Sequence, residues 1–350
     1  MDAGSPVDAG SSDGGSPDSG IDAGTGGALA FTLTDLGPGT VSSIDSRGRV
    51  AGNPCPNGDP PCPASIYTPG SGWTPLPVPD GATGAVAIGI DENDTVVLNA
   101  WFLLQRTRYR RAHVDPGARP FPTASQPPQT TLFNAIHSAT GHMVGYDEAL
   151  GGGFLYDGTT ITPIAVQPGK SFDNGGPSQA TALNAHDQVV GWMRPMPQPG
   201  SFNSTPAHAF LWDHGAATDL GSRGQCDSQA VGINDSGLVA GVIDVGERCG
   251  EPRVFRWDGQ MHILGCPDGA MVCTPYAINA RGDIIGNALA SVGSLERAFI
   301  HRDGAFHWLD ELVDVSGWTL QYAVSMNDTG QIVGWGGLAG VPHAFLLTPR

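Results

Sequence analysis

One short phrase, written seven times, constrains this chain more than any other feature. It reads VSSIDSRGRVAG from Val41, AIGIDENDTVVL from Ala87, FNAIHSATGHMVG from Phe133 and ATALNAHDQVVG from Ala180. It returns as AVGINDSGLVAG from Ala230, PYAINARGDIIG from Pro275 and AVSMNDTGQIVG from Ala323. The apolar residue at its centre is Ile44, Ile90, Ile136, Leu183, Ile233, Ile278 and Met326, at spacings of 46, 46, 47, 50, 45 and 48. Self-similarity at a period of this size marks a repeat architecture, in which each unit buries its apolar face against the next.

The chemistry of the phrase specifies a hairpin. The residue before the apolar anchor is always tiny: Ser43, Gly89, Ala135, Ala182, Gly232, Ala277 and Ser325. Strands crowded around one axis require this. The residue after the anchor is Asp or Asn in six copies and His137 in the third. An Asx side chain bonds the turn backbone, and a following glycine supplies positive φ. A second hairpin comes next, clearest in AHAFLWDHGAATDLG from Ala207 and RVFRWDGQMHILG from Arg253, where alternating apolar residues flank a turn. Four short strands per unit make one blade of a β-propeller. The seventh unit stops at PHAFLLTPR, and its missing strand stands at the other end of the chain, in AFTLTDLG from Ala30. The expected fold class is all-β: a seven-bladed β-propeller over residues 28–350, with Phe31 to Leu36 closing the last blade and leaving no free edge at the seam.

Residues 1–27 are of another kind. They hold Asp-Ala-Gly three times and five aspartates, with no basic or aromatic residue. Such a segment cannot bury enough apolar surface to offset its ordering entropy, so a disordered tether is expected. Its composition suits the stalk of a secreted or surface-anchored protein, and no basic n-region followed by an apolar h-region stands near Met1. The whole chain carries 34 acidic against 17 basic side chains, a net charge of −17, with Lys170 its single lysine. A phosphate-backbone binder needs a basic stripe, so nucleic acid is excluded as a partner. No apolar run approaches the ~18 residues of a membrane span.

The pairing of Gly-Ile-Asn-x-x-Gly-x-Val-x-Gly with His-Ala-Phe-Leu-Trp and Thr-Asp-Leu-Gly resembles the bacterial extracellular HAF repeat. AHAFLWDHGAATDLG followed by SQAVGINDSGLVAG carries the likeness best, and it extends over residues 30–350. The second unit departs most, with Asp94 and Leu98 where glycines are expected. The resemblance implies an exported repeat protein and brings no catalytic residues with it. The tail is similar to tethers that follow the lipid-modified cysteine of some bacterial surface lipoproteins, although residues 1–27 contain no cysteine.

In a four-stranded blade, the first-to-second and third-to-fourth turns share one face. The second-to-third loops and the links between blades share the other. Here the first set is short and stereotyped, while the second is long and irregular, at 53–64, 167–178, 193–206, 242–252 and 266–274. Variable loops on a rigid scaffold are where binding resides. All six cysteines fall on that loop-rich face. Six cysteines allow 15 pairings, and locality favours Cys55–Cys62, Cys226–Cys249 and Cys266–Cys273. Such cross-links stiffen long loops and imply an oxidising compartment, secreted or at the bacterial cell surface. Without a Cys-x-x-Cys, no zinc site is expected.

Tyr146, Trp192 and Trp335 each follow the closing glycine of a second strand. They are candidate platforms for stacking a sugar face, or residues that pack blade against blade. Arg106, Arg108, Arg110 and Arg111 cluster on an otherwise acidic surface, either as a contact for an anionic glycan or as strand arginines paired with carboxylates. The Asp-rich turns offer oxygens to calcium, but no complete calcium loop is present, so no cofactor is expected. There is no His-Glu-x-x-His, Gly-x-Ser-x-Gly, phosphate loop or dinucleotide fingerprint. The expected function is a noncatalytic, monomeric extracellular module that binds a glycan or protein through its loop-rich face. The alternative is a propeller-type polysaccharide lyase or glycosidase working around a central depression.

Overall fold

Each copy of the repeated phrase folds into a hairpin whose turn is organised by its Asp or Asn. Asp45 accepts the backbone N–H groups of Arg47 at 3.0 Å and Arg49 at 2.7 Å. Asp91, Asn184, Asn234 and Asn279 take the same two amides in their own units. One side chain thus satisfies donors that a tight turn leaves unpaired. In the third unit His137 takes the role, with Nδ1 accepting from the Thr140 amide at 3.3 Å.

The structure, a computed structural model, describes residues 29–55, 62–104, 107–115, 119–120, 130–164, 178–194, 205–314 and 316–350. The tail expected to be a tether lies outside the described residues, as do 56–61, 165–177 and 195–204 in three of the long loops. Among the described residues all regular structure is β apart from a 3-10 turn at Leu309–Glu311. Five sheets have four antiparallel strands each, and a sixth has seven. The larger sheet is two units sharing the strand Phe31–Ile44. Its first half pairs with Val341–Pro349, placing Phe31 opposite Pro349, and its second half pairs with Val50–Pro54.

The innermost strands are Phe31–Ile44, Gly84–Ile90, Thr131–Ile136, Ser178–Leu183, Ser228–Ile233, Val272–Ile278 and Trp318–Met326. They contact one another in chain order, and the last also contacts the first. This is an all-β architecture of propeller type.

Two sequence signatures have steric causes. A Cβ at Gly145, Gly191, Gly241, Gly286 or Gly334 would collide with a carbonyl of the innermost strand and with a phenylalanine of the third. Those rings, Phe154, Phe210, Phe255, Phe299 and Phe345, are fully buried, and each contributes about 2–3 kcal/mol of transfer free energy. The tiny residue before the anchor answers crowding between sheets: a Cβ at Gly232 would lie 3.1 Å from the Ile278 side chain of the next unit.

The turns also tie unit to unit. Asn184 donates to the carbonyl of Asn234 at 3.1 Å, Asn234 to that of Asn279 at 3.0 Å, and Asn327 to that of Asp45 at 2.9 Å. An aspartate has no amide to donate. In the first unit Arg49 replaces it, reaching both Asp45 Oδ2 and the Asp91 carbonyl at 2.7 Å. In the sixth unit Asn279 turns its amide to Asp283, and the Ala280 N–H bonds Asp328 instead. Three disulfides, Cys55–Cys62, Cys226–Cys249 and Cys266–Cys273, cross-link the loop-rich face in the pairing that locality favours.

Candidate functional site

All seven innermost strands bulge at one place. Ser42 is skipped between the pairs Val41–Gly52 and Ser43–Ala51. The same shift skips Ile88, Asn134, Thr181, Val231, Tyr276 and Val324. A bulge bends its strand and re-aims a side chain, and such irregularities concentrate beside binding sites. The seven skipped residues line one central cavity of about 270 Å³, together with anchors such as Ile44, Ile136 and Met326. Because the anchors precede the short turns, they form the floor. The skipped residues stand two positions nearer the loop-rich face and form the wall.

Sequence reasoning did not single these residues out, yet a signal was present. Next to the invariably tiny residue and the apolar anchor, this position runs Ser, Ile, Asn, Thr, Val, Tyr, Val. Asn134 and Thr181 commit their polar groups to the next unit, donating to the carbonyls of Ala180 at 2.6 Å and Ala230 at 2.8 Å. Tyr276 is the largest member and 38% exposed.

Of the residues that line the cavity, Tyr276 alone has an aromatic and acidic neighbourhood, made by Tyr322, Trp335 and Glu296 outside the lining itself. Tyr322, on the innermost strand of the last unit, lies opposite Trp335, and their rings stack at 4.0 Å with planes 19° apart. Burial, a hydrogen bond and the charge of Glu296, and then Tyr276 push the Tyr322 hydroxyl up to about 12. Burial and Glu296 raise Tyr276 as well. Glu296 ends the loop between Ile284–Leu289 and Arg297–Arg302 on the loop-rich face. Both phenols therefore stay protonated at neutral pH and present hydroxyl donors next to a carboxylate acceptor.

The three aromatics marked in the sequence sit on separate sheets and do not meet. Trp335 joins the Tyr322 stack. The Trp192 ring donates to Gln179 at 3.2 Å, and Tyr146 is raised by burial and by Glu148 and Asp147. In the first, second and sixth units the same position is asparagine (Asn53, Asn99 and Asn287), and in the first two its amide crosses to the next sheet: Asn53 donates to Ala85 at 2.9 Å and Asn99 to Phe133 at 2.8 Å. In those two units the position reaches the next sheet, whereas the contacts of Trp192 and Trp335 stay within their own sheets. Of the arginines, Arg110 is exposed opposite Trp101. Arg108 and Arg111 belong to the strand Thr107–Asp115, but their side chains, like the whole of Arg106, lie outside the described residues.

A carboxylate pair invisible in the sequence lies beside the second disulfide. The Asp244 N–H donates to the Asp227 carbonyl at 2.9 Å, and burial together with the Asp227 charge raises the Asp244 carboxyl. Among the described residues no three His, Cys, Asp or Glu side chains gather to hold a metal.

No family model and no curated protein matches the chain. Among solved structures, an acylaminoacyl peptidase from Pyrococcus horikoshii is similar in fold, with a TM-score of 0.51 at 9% identity over 85% of this chain and 50% of that one. A putative gluconolactonase (TM-score 0.40, 10% identity, 91% and 92% covered) and TolB from Acinetobacter baumannii (TM-score 0.40, 12% identity, 92% and 80% covered) follow. The chain spans about half the length of the peptidase it matches. At these identities the likeness is one of fold alone.

Proposed function

We propose that the chain is a closed seven-bladed propeller of the HAF-repeat kind, working outside the cell as a noncatalytic module that binds a neutral glycan at the loop-rich mouth of its central cavity. The observation that carries the reading is the group formed by cavity-lining Tyr276 with the neighbouring Glu296 and Tyr322–Trp335 stack. Aromatic faces match the C–H faces of a sugar ring, while paired hydroxyl donors and a carboxylate acceptor match its hydroxyls. Three disulfides on the same face support both an oxidising compartment and preorganised loops, which lose less entropy on binding. The net charge of −17 disfavours polyanionic glycans.

Glycan-array screening followed by calorimetry tests this. Trp335→Ala and Tyr276→Ala are expected to weaken the best array ligand at least tenfold, while Trp192→Ala leaves it within twofold. Equal binding by all three variants overturns the site. A second reading, glycoside hydrolysis, is favoured by Asp244, a carboxyl held toward its protonated form as a general acid requires. A reducing-end assay on the array ligand, with Asp244→Asn as control, separates the two.

A further inference from the structure

The opposite face carries a pocket of its own. One position of the repeat, immediately before the second strand, holds Arg49, Thr95, His142, Gln188, Leu238, Asp283 and Gln331 in successive units. Where that residue is long and polar it bridges. Arg49 reaches the Asp91 carbonyl at 2.7 Å, His142 bonds Asp187 at 2.6 Å, and Gln188 bonds Asp213 at 3.1 Å. In the fifth unit the residue is Leu238, whose side chain donates and accepts nothing. There a cavity of about 570 Å³ opens, lined by Leu238, Arg256, Arg281, Asp283, His301 and Arg302.

Three guanidinium groups, Arg256, Arg281 and Arg302, line this cavity against two carboxylates, Asp283 and Asp303. Asp283 is buried and takes Arg302 through two bonds of 2.9 and 2.6 Å, with Arg281 at 3.4 Å. Arg256 has one carboxylate contact, Asp258 at 3.2 Å, and its Nε is buried with no hydrogen-bond partner. His301 is 7% exposed and packs edge-on against Phe306. Burial, then Arg256 and His307, hold its ring toward the neutral form. A guanidinium carries five N–H groups in a planar fork suited to oxyanions. A volume of this size suits a small molecule.

We propose that this turn-face cavity is a second binding site, independent of the glycan reading, and that it takes a small molecule bearing one oxyanion group held between Arg256 and Arg281. Arg302 holds Asp283 and frames the site. The test is thermal denaturation and calorimetry of the full chain with sulfate, phosphate, acetate and galacturonate as probes, each against chloride at equal ionic strength. At least one oxyanion is expected to raise the melting temperature in a saturable way. Sulfate or phosphate ranking first identifies a tetrahedral group, and acetate or galacturonate ranking first a carboxylate. Arg256→Gln and Arg281→Gln are each expected to weaken binding at least tenfold. Leu238→Gln, which installs the residue of the fourth and seventh units without removing charge, is expected to fill the opening and weaken it likewise. Identical responses to all four probes and to chloride, or unchanged binding in folded Arg256→Gln and Leu238→Gln variants, overturn the proposal.

Discussion

Converting Asn327 to Asp while leaving Gln331 in place attacks one of the bonds that join the last unit to the first. Asn327 is buried, and its amide serves the Asp45 carbonyl and Gln331 Oε1, both at 2.9 Å. A carboxylate there keeps the bond from the Gln331 backbone N–H but loses both donors and faces the Asp45 carbonyl with a charge. The Gln331 amide can rotate to present its NH₂; the Asp45 carbonyl cannot adapt. A lost hydrogen bond plus a poorly paired buried charge costs about 2–4 kcal/mol. The first unit shows the remedy, since Asp45 is served by Arg49, four residues on, which also reaches across to Asp91. Adding Gln331→Arg should therefore restore stability, with a coupling of about 1–3 kcal/mol between the two changes. Urea titration of the oxidised protein at constant m measures all four corners of the cycle. If the double variant is as unstable as the sum of the singles, to within about 0.5 kcal/mol, the two turn chemistries are not interchangeable and the account of the hooks is wrong.

Acid should weaken the fold in a defined direction. His137 and His301 are held below their ordinary 6.5 mainly by burial, so their contribution is complete above that value and is lost as pH falls through their folded values; melting temperatures from pH 7.5 to 5 in Asn variants of each should flatten the decline. Replacing Cys226 and Cys249 with Ala, which opens a span of 23 residues, should cost about 3 kcal/mol, against about 2 for the span of 7 between Cys266 and Cys273, and denaturant midpoints give the order. Gly241→Ala, which forces a methyl against the Gln229 carbonyl and the Phe255 ring, should cost about 3 kcal/mol or more by the same measurement. An intact midpoint would mean the second strand can retreat.

The repeated phrase made the strands and turns legible, and the spacing of the cysteines the disulfides, because the forces that set them are local. An Asx residue bonds amides two and four positions on, and a glycine is demanded by its own pair partner. Cysteines at short separation meet whatever surrounds them. The site was less legible because register, rather than residue type, creates it. Skipping Tyr276 in the pairing between Pro275–Gly286 and Ala277–Ile285 is what turns that ring to the cavity, and no period-two pattern reports a skipped residue. The same holds for the position after the closing glycine. Read alone, Tyr146, Trp192 and Trp335 form a set; in the structure the position serves different ends, with Asn53 and Asn99 crossing to the next sheet while Trp192 and Trp335 contact their own. Trp335 is distinguished by its partner Tyr322, which no rule of spacing identifies. The repeat therefore encodes the scaffold, and function must be sought where a copy breaks the pattern. Tyr276 among small or aliphatic bulge residues is one such break. Leu238 among polar seam residues is another, and each opens onto a cavity.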